Sequence, residues 1–477
     1  MTSLADELRG DRPDTHRKAL RINLDSGRYG TFAEIGAGQE VVRWFFRVGG
    51  AAGTIAKSIS AYDMTVSDAI YGPCDRYVSR PRLEGMLEYE QKLTKARLTD
   101  TRGDTTAFFS FADTVSALSF RGGNECHGWM GVKFQAHPRD DDSQIILHVR
   151  MLDNNNAMQQ EALGIVGVNL LYGCFFHHHE PEKLLESLLD NLSTNRIEID
   201  MIEFSGIAFR HVDNRLMSLR LVHLGLTDAA MFAADGTVLQ PSEALYKRPI
   251  LVERGSFRPV THVNLDMLRC AYEKFVGRPD VEADKVVVLA EITMKNLLAD
   301  GNIDYRDFLA RVDLLAACGK TVLISDYFEY YRLAAYLARY SRKRIGLVMG
   351  AASLRDLFQE KYYSDLEGGI LESFGRLFKT DLELYIYPFR EPGAPELMTV
   401  DNLPVADDLR KLYGYLVDKG TIVPLDNYSE ECLSIFSRDI LRKIKTNEAD
   451  WEHALPPAVA ELIKRKGFFG YKKPVKA

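Results

Sequence analysis

Residues 319–358 read GKTVLISDYFEYYRLAAYLARYSRKRIGLVMGAASLRDLF. Thr321 to Ser325 is a short apolar run, set off by Gly319-Lys320 before it and Asp326 after it. Glu329 to Tyr340 carries Leu333, Tyr336, Leu337 and Tyr340 at helical spacing. Ile345 to Met349 is a second apolar run, and Gly350-Ala351-Ala352-Ser353 opens another helix. Short apolar strands joined by one amphipathic helix make a βαβ unit, with parallel strands and helices laid on the sheet. In such folds the ligand sits beyond the carboxyl ends of the strands. Here those ends carry Ser325-Asp326 and Gly350 to Ser353.

The same alternation extends outward from this unit. Upstream lie predicted helices at Glu182–Leu192, Arg215–Leu224, Asn264–Val276 and Ile303–Cys318. Predicted strands lie at Arg196–Phe204, Ala229–Phe232, Ile250–Glu253 and Lys285–Ile292, and downstream come a helix at Leu366–Phe378 and a strand at Leu382–Tyr387. Strand and helix recurring about every 30 residues is α/β spacing. Residues 19–180 have another texture. Ala107–Phe120, Met130–Gln135 and Gln144–Leu152 are strands with connections too short for helical crossovers, so they pair antiparallel. Arg21–Leu24 reads as a further strand, and Gln39–Val48 as a helix apolar nearly all round. The expected fold is therefore α/β: an N-terminal α+β layer (19–180), a largely parallel βα array (181–390) forming an open sheet or partial barrel, and a short helical C-terminal region (391–477) with a basic tail. Residues 1–18 read as a mobile arm.

The totals bound the function. The 477 residues suffice for two or three domains of roughly 150 residues. Sixty Lys+Arg against 67 Asp+Glu give a net charge of −7, which argues against a general nucleic-acid binder. No run approaches the roughly 18 apolar residues of a membrane span. The amino terminus shows no secretory signal, and six scattered cysteines without a C-x-x-C pair read as reduced thiols, so a cytoplasmic protein is expected.

Several stretches carry candidate chemistry. Gly36 and Gly38 stand between a strand and a helix, where the backbone can approach a phosphate, although Val41 holds the place of the third fingerprint glycine. Small residues there also suit tight turns and subunit contacts. GAAGTIAKS at 50–58 misses the P-loop pattern because Ala56 precedes Lys57-Ser58. Arg254, Arg258 and His262 fall within nine residues after a strand and can bind an anion. Glu291 and Asp326 end two strands and suit acid/base work or Mg²⁺. Gly350 and Ser353 form a second small-residue turn, which helix capping also explains. His177-His178-His179-Glu180 lacks the spacing of a metalloprotease, and Cys126-His127 are strand neighbours that point apart.

YGTFAEIGAGQEVVRWFFRVGGAAGTIAKSISAYD, FADTVSALSF, HVRMLDNNNAMQQEALGI, HVDNRLMSL, LVERGSFRPVTHVNLDML, GLVMGAASLRDLF and GGILESFGRLFK resemble a widespread bacterial family of similar length. The resemblance runs from about Ala19 to Ile463. Members of that family carry two irreconcilable labels, nicotinate-nucleotide adenylyltransferase and TonB-dependent receptor. A receptor of that kind needs a signal peptide and a β-barrel, and neither is expected here. An adenylyltransferase of that kind carries an H-x-G-H phosphate motif, which this sequence lacks. The resemblance implies no catalytic residues. The residues themselves favour an enzyme that binds a nucleotide or other phosphorylated metabolite, with phosphoryl or nucleotidyl transfer as its reaction class. The alternative is a non-catalytic oligomeric assembly protein, and a homo-oligomer is expected in either case.

Overall fold

The computed structural model describes residues 13–119, 125–299, 302–391 and 393–472. The first twelve residues of the expected arm, the Gly122-Gly123-Asn124 loop, Pro392 and the end of the basic tail at Lys473 lie outside them. The chain divides into two compact units after Asp228.

The first unit is built on a six-stranded sheet. Its strands are β1 (Arg28–Gly36), β2 (Ile55–Ile59), β3 (Ala107–Ser116), β4 (His127–Gln135), β5 (Asp142–Met151) and β6 (Ile197–Gly206), in the order β2-β1-β3-β4-β5-β6. β1 runs parallel to β2 and β3, and β3 to β6 pair antiparallel as their short connections require. Alternate residues sort onto two faces. One face carries Phe32, Phe109, Phe111, Met130, Val132 and Leu147. It is covered by α1 (Thr15–Asn23), α2 (Val41–Val48) and α4 (Asn156–Phe176), while α3 (Arg80–Arg102) packs on β1, β3 and β4.

Three expectations change here. Arg21–Asn23 is helical with Leu24 as its C-cap, and part of the expected arm joins it. Asp14 accepts from the Arg17 amide as an N-cap, and Lys18, Ala19 and Ile22 are buried at i, i+1 and i+4. The helix at Val41–Val48, expected to be buried because it is apolar nearly all round, buries only one face: Val41, Val42 and Phe45 are buried, while Arg43 and Phe46 are exposed. The first unit also continues past residue 180, because β6 returns to pair with β5.

The second unit has an eight-stranded open sheet. Its strands are β7 (Ala229–Phe232), β8 (Val238–Leu239), β9 (Ile250–Arg254), β10 (Val287–Thr293), β11 (Thr321–Ser325), β12 (Ile345–Gly350), β13 (Leu382–Tyr387) and β14 (Ile422–Pro424). Their order is β14-β13-β12-β9-β10-β11-β7-β8. The first six are parallel, and β7 and β8 close one edge antiparallel. From β9 the chain moves outward through β10 and β11. It then returns to the other side of β9 for β12 and moves outward again through β13 and β14. The strand order thus reverses between β9 and β12. β14 comes from the stretch read as a helical C-terminal region, which therefore completes the sheet.

Alternation along β9 shows both faces covered. Leu251 packs with Met267 and Phe275 of α6 (His262–Val276). Ile250 and Val252 belong to the opposite core with Leu333, Leu354, Phe374 and Leu416. These come from α8 (Tyr330–Tyr340), α9 (Ala351–Leu357), α10 (Gly369–Leu377) and α11 (Arg410–Asp418). Helix α7 (Tyr305–Ala317) leads into β11.

Candidate functional site

The carboxyl ends of β9, β10, β11 and β12 meet at one edge of the second sheet. Two concavities open there, on either side of α9.

The first is a cavity of about 330 Å³, whose lining includes Arg254, Lys295, Phe328, Tyr330, Ser353, Asp356 and Tyr362. Its aromatic rings are presented, not hidden: Phe328 is 44% exposed and Tyr362 40%, with ring centroids 6.3 Å apart. The Lys295 ammonium sits 3.8 Å from the centre of the Phe328 ring. Arg254 holds this wall in place. Its Nε and Nη2 donate to Glu291 Oε2 and Oε1 at 2.5 and 2.8 Å. Nη1 donates to the Phe328 carbonyl at 2.7 Å, and Nη2 also to the Tyr327 carbonyl at 2.9 Å. Its guanidinium lies 4.4 Å from the centre of the Tyr330 ring. Burial works against the Arg254 charge, but the Glu291 carboxylate overrides it and keeps the guanidinium above its ordinary range.

The second is a crevice of about 690 Å³ where the strand order reverses. Ser256 follows β9 on one side of it, and on the other Gly350 ends β12 and Ala352 follows it. Three arginines line it, Arg355, Arg390 and Arg438, against two carboxylates, Glu391 and Asp439. Arg355 only grazes Glu391 at 3.8 Å and Asp356 at 3.9 Å, and Arg390 and Arg438 are exposed. In open α/β sheets this reversal point is where ligands bind.

Among the residues marked in the sequence, Arg254 and Ser353 share the aromatic cavity, and Gly350 lies in the cationic crevice. A Cβ on Gly350 would meet nothing within 4 Å, so the adjoining space is open. Glu291 is fully buried and accepts from Arg254 and, at 2.5 Å, from Ser325 Oγ. It therefore anchors Arg254 and has no free face for a proton or Mg²⁺. Asp326 is exposed and lines neither concavity. Arg258 is held by Asp307 at 2.6 Å, which also binds Arg311. His262 begins α6, whose capping box is supplied by Thr261 and Asn264. Among the described residues no group of three or more His, Cys, Asp or Glu is placed to hold a metal ion, and the His177 cluster is no exception.

The sequence reading passed over Glu253. It points away from Arg254, is 1% exposed, and accepts from Asn264 Nδ2 at 2.7 Å through one oxygen, while the other has no partner. Burial pushes it up to about 8, against the pull of Asn264, so it stays protonated at neutral pH. It ends an apolar strand just as Glu291 does, and that signal was available. Lys295, Phe328, Tyr362, Arg355, Arg390 and Arg438 had no such signal, because they converge from six separate segments of the chain.

Gly36 and Gly38 belong to the first unit. Gly36 has φ +77, and a Cβ there would lie 2.2 Å from the Val115 carbonyl. A Cβ on Gly38 would lie 2.0 Å from Asp113 Oδ1. These glycines let the turn after β1 close over Asp113. The first amides of α2, on Val41 and Val42, go to Glu34 at 2.9 and 3.2 Å. The carboxyl group of Glu34 thus occupies the position where a phosphate was expected.

No helix among the described residues is long and apolar enough to cross a membrane, and none of the six cysteines, all of them described, is joined in a disulfide. No protein-family model matches the chain, and no curated protein matches its sequence. Solved structures align with parts of the chain at low similarity. A nicotinic acid mononucleotide adenylyltransferase of Plasmodium falciparum, complexed with NaAD, is 11% identical over 47% of this chain and 98% of its own, with a TM-score of 0.31. A CinA superfamily protein of Klebsiella pneumoniae is 13% identical over 34% of this chain and 96% of its own, with a TM-score of 0.26. A putative nicotinate-nucleotide adenylyltransferase of Vibrio parahaemolyticus is 13% identical over 47% and 97%, with a TM-score of 0.20. Likeness of this degree says nothing about activity.

Proposed function

We propose that the second unit binds a nucleotide or other phosphorylated metabolite at the carboxyl edge of its sheet. The observation that carries this reading is the cationic crevice at the strand-order reversal between β9 and β12, lined by Arg355, Arg390 and Arg438. Guanidinium groups present planar forks matched to phosphate oxygens. The neighbouring cavity offers exposed aromatic faces beside a cation, which suits a base or another flat ring. Phosphoryl or nucleotidyl transfer is the reaction class that fits, because positioning and charge neutralisation carry most of that catalysis. Arg254 and Glu291 serve this site by positioning the loop that bears Phe328.

The test is a melting-point screen of the full chain against nucleoside mono-, di- and triphosphates and sugar phosphates, with and without Mg²⁺. A ligand at 100 times its Kd adds about 2.7 kcal/mol to the folded state, which raises the midpoint by a few degrees. A rise confined to one chemical class identifies the substrate type. No rise with any of them counts against the reading.

A second reading, assembly through the first unit, draws on exposed apolar side chains there: Phe46 at 57%, Tyr62 at 75% and Met64 at 61%. It requires a defined oligomer by light scattering, and a monomer at all concentrations would dismiss it.

A further inference from the structure

His127 of β4, His148 of β5 and Asp200 of β6 form a hydrogen-bonded chain across three adjacent antiparallel strands of the first unit. His148 Nδ1 lies 2.6 Å from Asp200 Oδ1, and His148 Nε2 lies 3.0 Å from His127 Nδ1. His148 and Asp200 are each 1% exposed, whereas His127 is half-buried. Trp129 packs against the His148 ring with centroids 4.9 Å apart and fixes its plane. None of these groups takes part in the ligand site of the second unit.

Valence sets the direction of the chain. An ionised Asp200 can only accept, so His148 carries its proton on Nδ1. A neutral His148 then has its lone pair on Nε2 and accepts from His127 Nδ1–H. The lone pair of His127 is left on Nε2, at the end of the chain. Burial, reinforced by His148, holds His127 down to about 4, so the ring is neutral at pH 7. The charges that bear on it are those of Asp200, Arg76 and Arg150. Arg76 is exposed, and Arg150 is tied to Glu198 at 2.5 Å. Arg76, whose charge bears on the neutral ring from an exposed position, suits an oxyanion.

We propose that His127 is the general base of a second site, which takes a proton from a small molecule bearing a phosphate or carboxylate group. His148 and Asp200 are its positioning residues. The acidic O–H or C–H bond of the substrate breaks and leaves its electron pair on the substrate. The proton joins His127 Nε2, the Nδ1 proton passes to His148 Nε2, and the resulting imidazolium faces the Asp200 carboxylate. One proton enters the chain, and the charge settles against its counter-ion.

The experiment follows acylation of His127 by diethyl pyrocarbonate, read by mass spectrometry of the digested chain. A histidine peptide is added as an internal reference. The reagent attacks only the neutral ring. Between pH 7 and pH 5 the reference, with a pKa of about 6.5, slows more than about tenfold, while His127 keeps its rate. Inorganic phosphate protects His127 and leaves the reference unaffected. Asp200→Asn, which can donate as well as accept, lowers the His127 rate by removing the fixed tautomer. A His127 rate that tracks the reference with pH, or that phosphate does not change, overturns the proposal. Both readings use the unaltered chain and stand whether or not Asp200→Asn folds.

Discussion

Glu34 and Asp113 are direct register partners on the parallel strands β1 and β3, two carboxyl groups side by side at 2% and 0% exposure. Glu34 accepts from the Val41 and Val42 amides, whereas neither oxygen of Asp113 has a partner. A proton held between the two would satisfy both. Burial pushes Glu34 up to about 8, and burial together with the Glu34 charge pushes Asp113 well above its ordinary value. In the unfolded chain both titrate near about 4. The folded state therefore binds more protons between pH 4 and 8, and this pair's contribution to stability is lost as pH rises through that window. Asp113→Asn keeps the shape and removes the second charge. Its melting midpoint relative to the unaltered chain should climb from pH 5 to pH 8. Parallel curves would show that the pair does not share a proton.

The turn above that pair has no room to grow. Gly38→Ala places a methyl group 2.0 Å from Asp113 Oδ1. The expected cost is about 1–3 kcal/mol, read as a lower denaturation midpoint with an unchanged slope. Combining it with Asp113→Ala should recover part of that loss.

Arg254 and Glu291 make the corresponding test in the second unit. Glu291→Ala leaves a buried guanidinium without its counter-ion, which costs about 3–5 kcal/mol. The loss should appear in denaturant unfolding and exceed that of Asp326→Ala, whose side chain is exposed. Equal effects would mean that the pair contributes no more than a surface carboxylate.

Phe328 separates ring recognition from phosphate recognition. Stacking of one base on an aromatic side chain is worth about 1–3 kcal/mol. Phe328→Ala should therefore weaken a nucleotide by roughly tenfold or more while leaving inorganic phosphate unaffected, as measured by calorimetric titration.

The sequence made the local elements legible and left their partners hidden. The βαβ unit at 319–358 is found at Thr321–Ser325, Tyr330–Tyr340 and Ile345–Gly350, because apolar runs and helical spacing are short-range signals. The open sheet settles the choice between sheet and barrel, which a count of strands cannot make. Glu291 was readable as a strand-end carboxylate. That its oxygens go to Arg254 and Ser325, 37 and 34 residues away, depends on which strands lie side by side. Arg258 likewise reads as an anion ligand until Asp307, 49 residues on, takes it up. The first unit's true end was hidden for the same reason, because the pairing of β6 with β5 reaches back across α4.

The nucleotide reading rests on the crevice arginines, and the most direct measurement is a calorimetric titration at two salt concentrations. The best nucleotide from the melting-point screen is added to the unaltered chain, to Arg355→Ala and to Arg438→Ala. The expected result is binding that weakens about tenfold in each variant, as for a charge-assisted hydrogen bond, with unchanged melting points in the absence of ligand. Added salt should weaken the unaltered chain more than either variant. Nucleotide affinity that is the same in all three proteins would contradict a ligand site at the strand-order reversal.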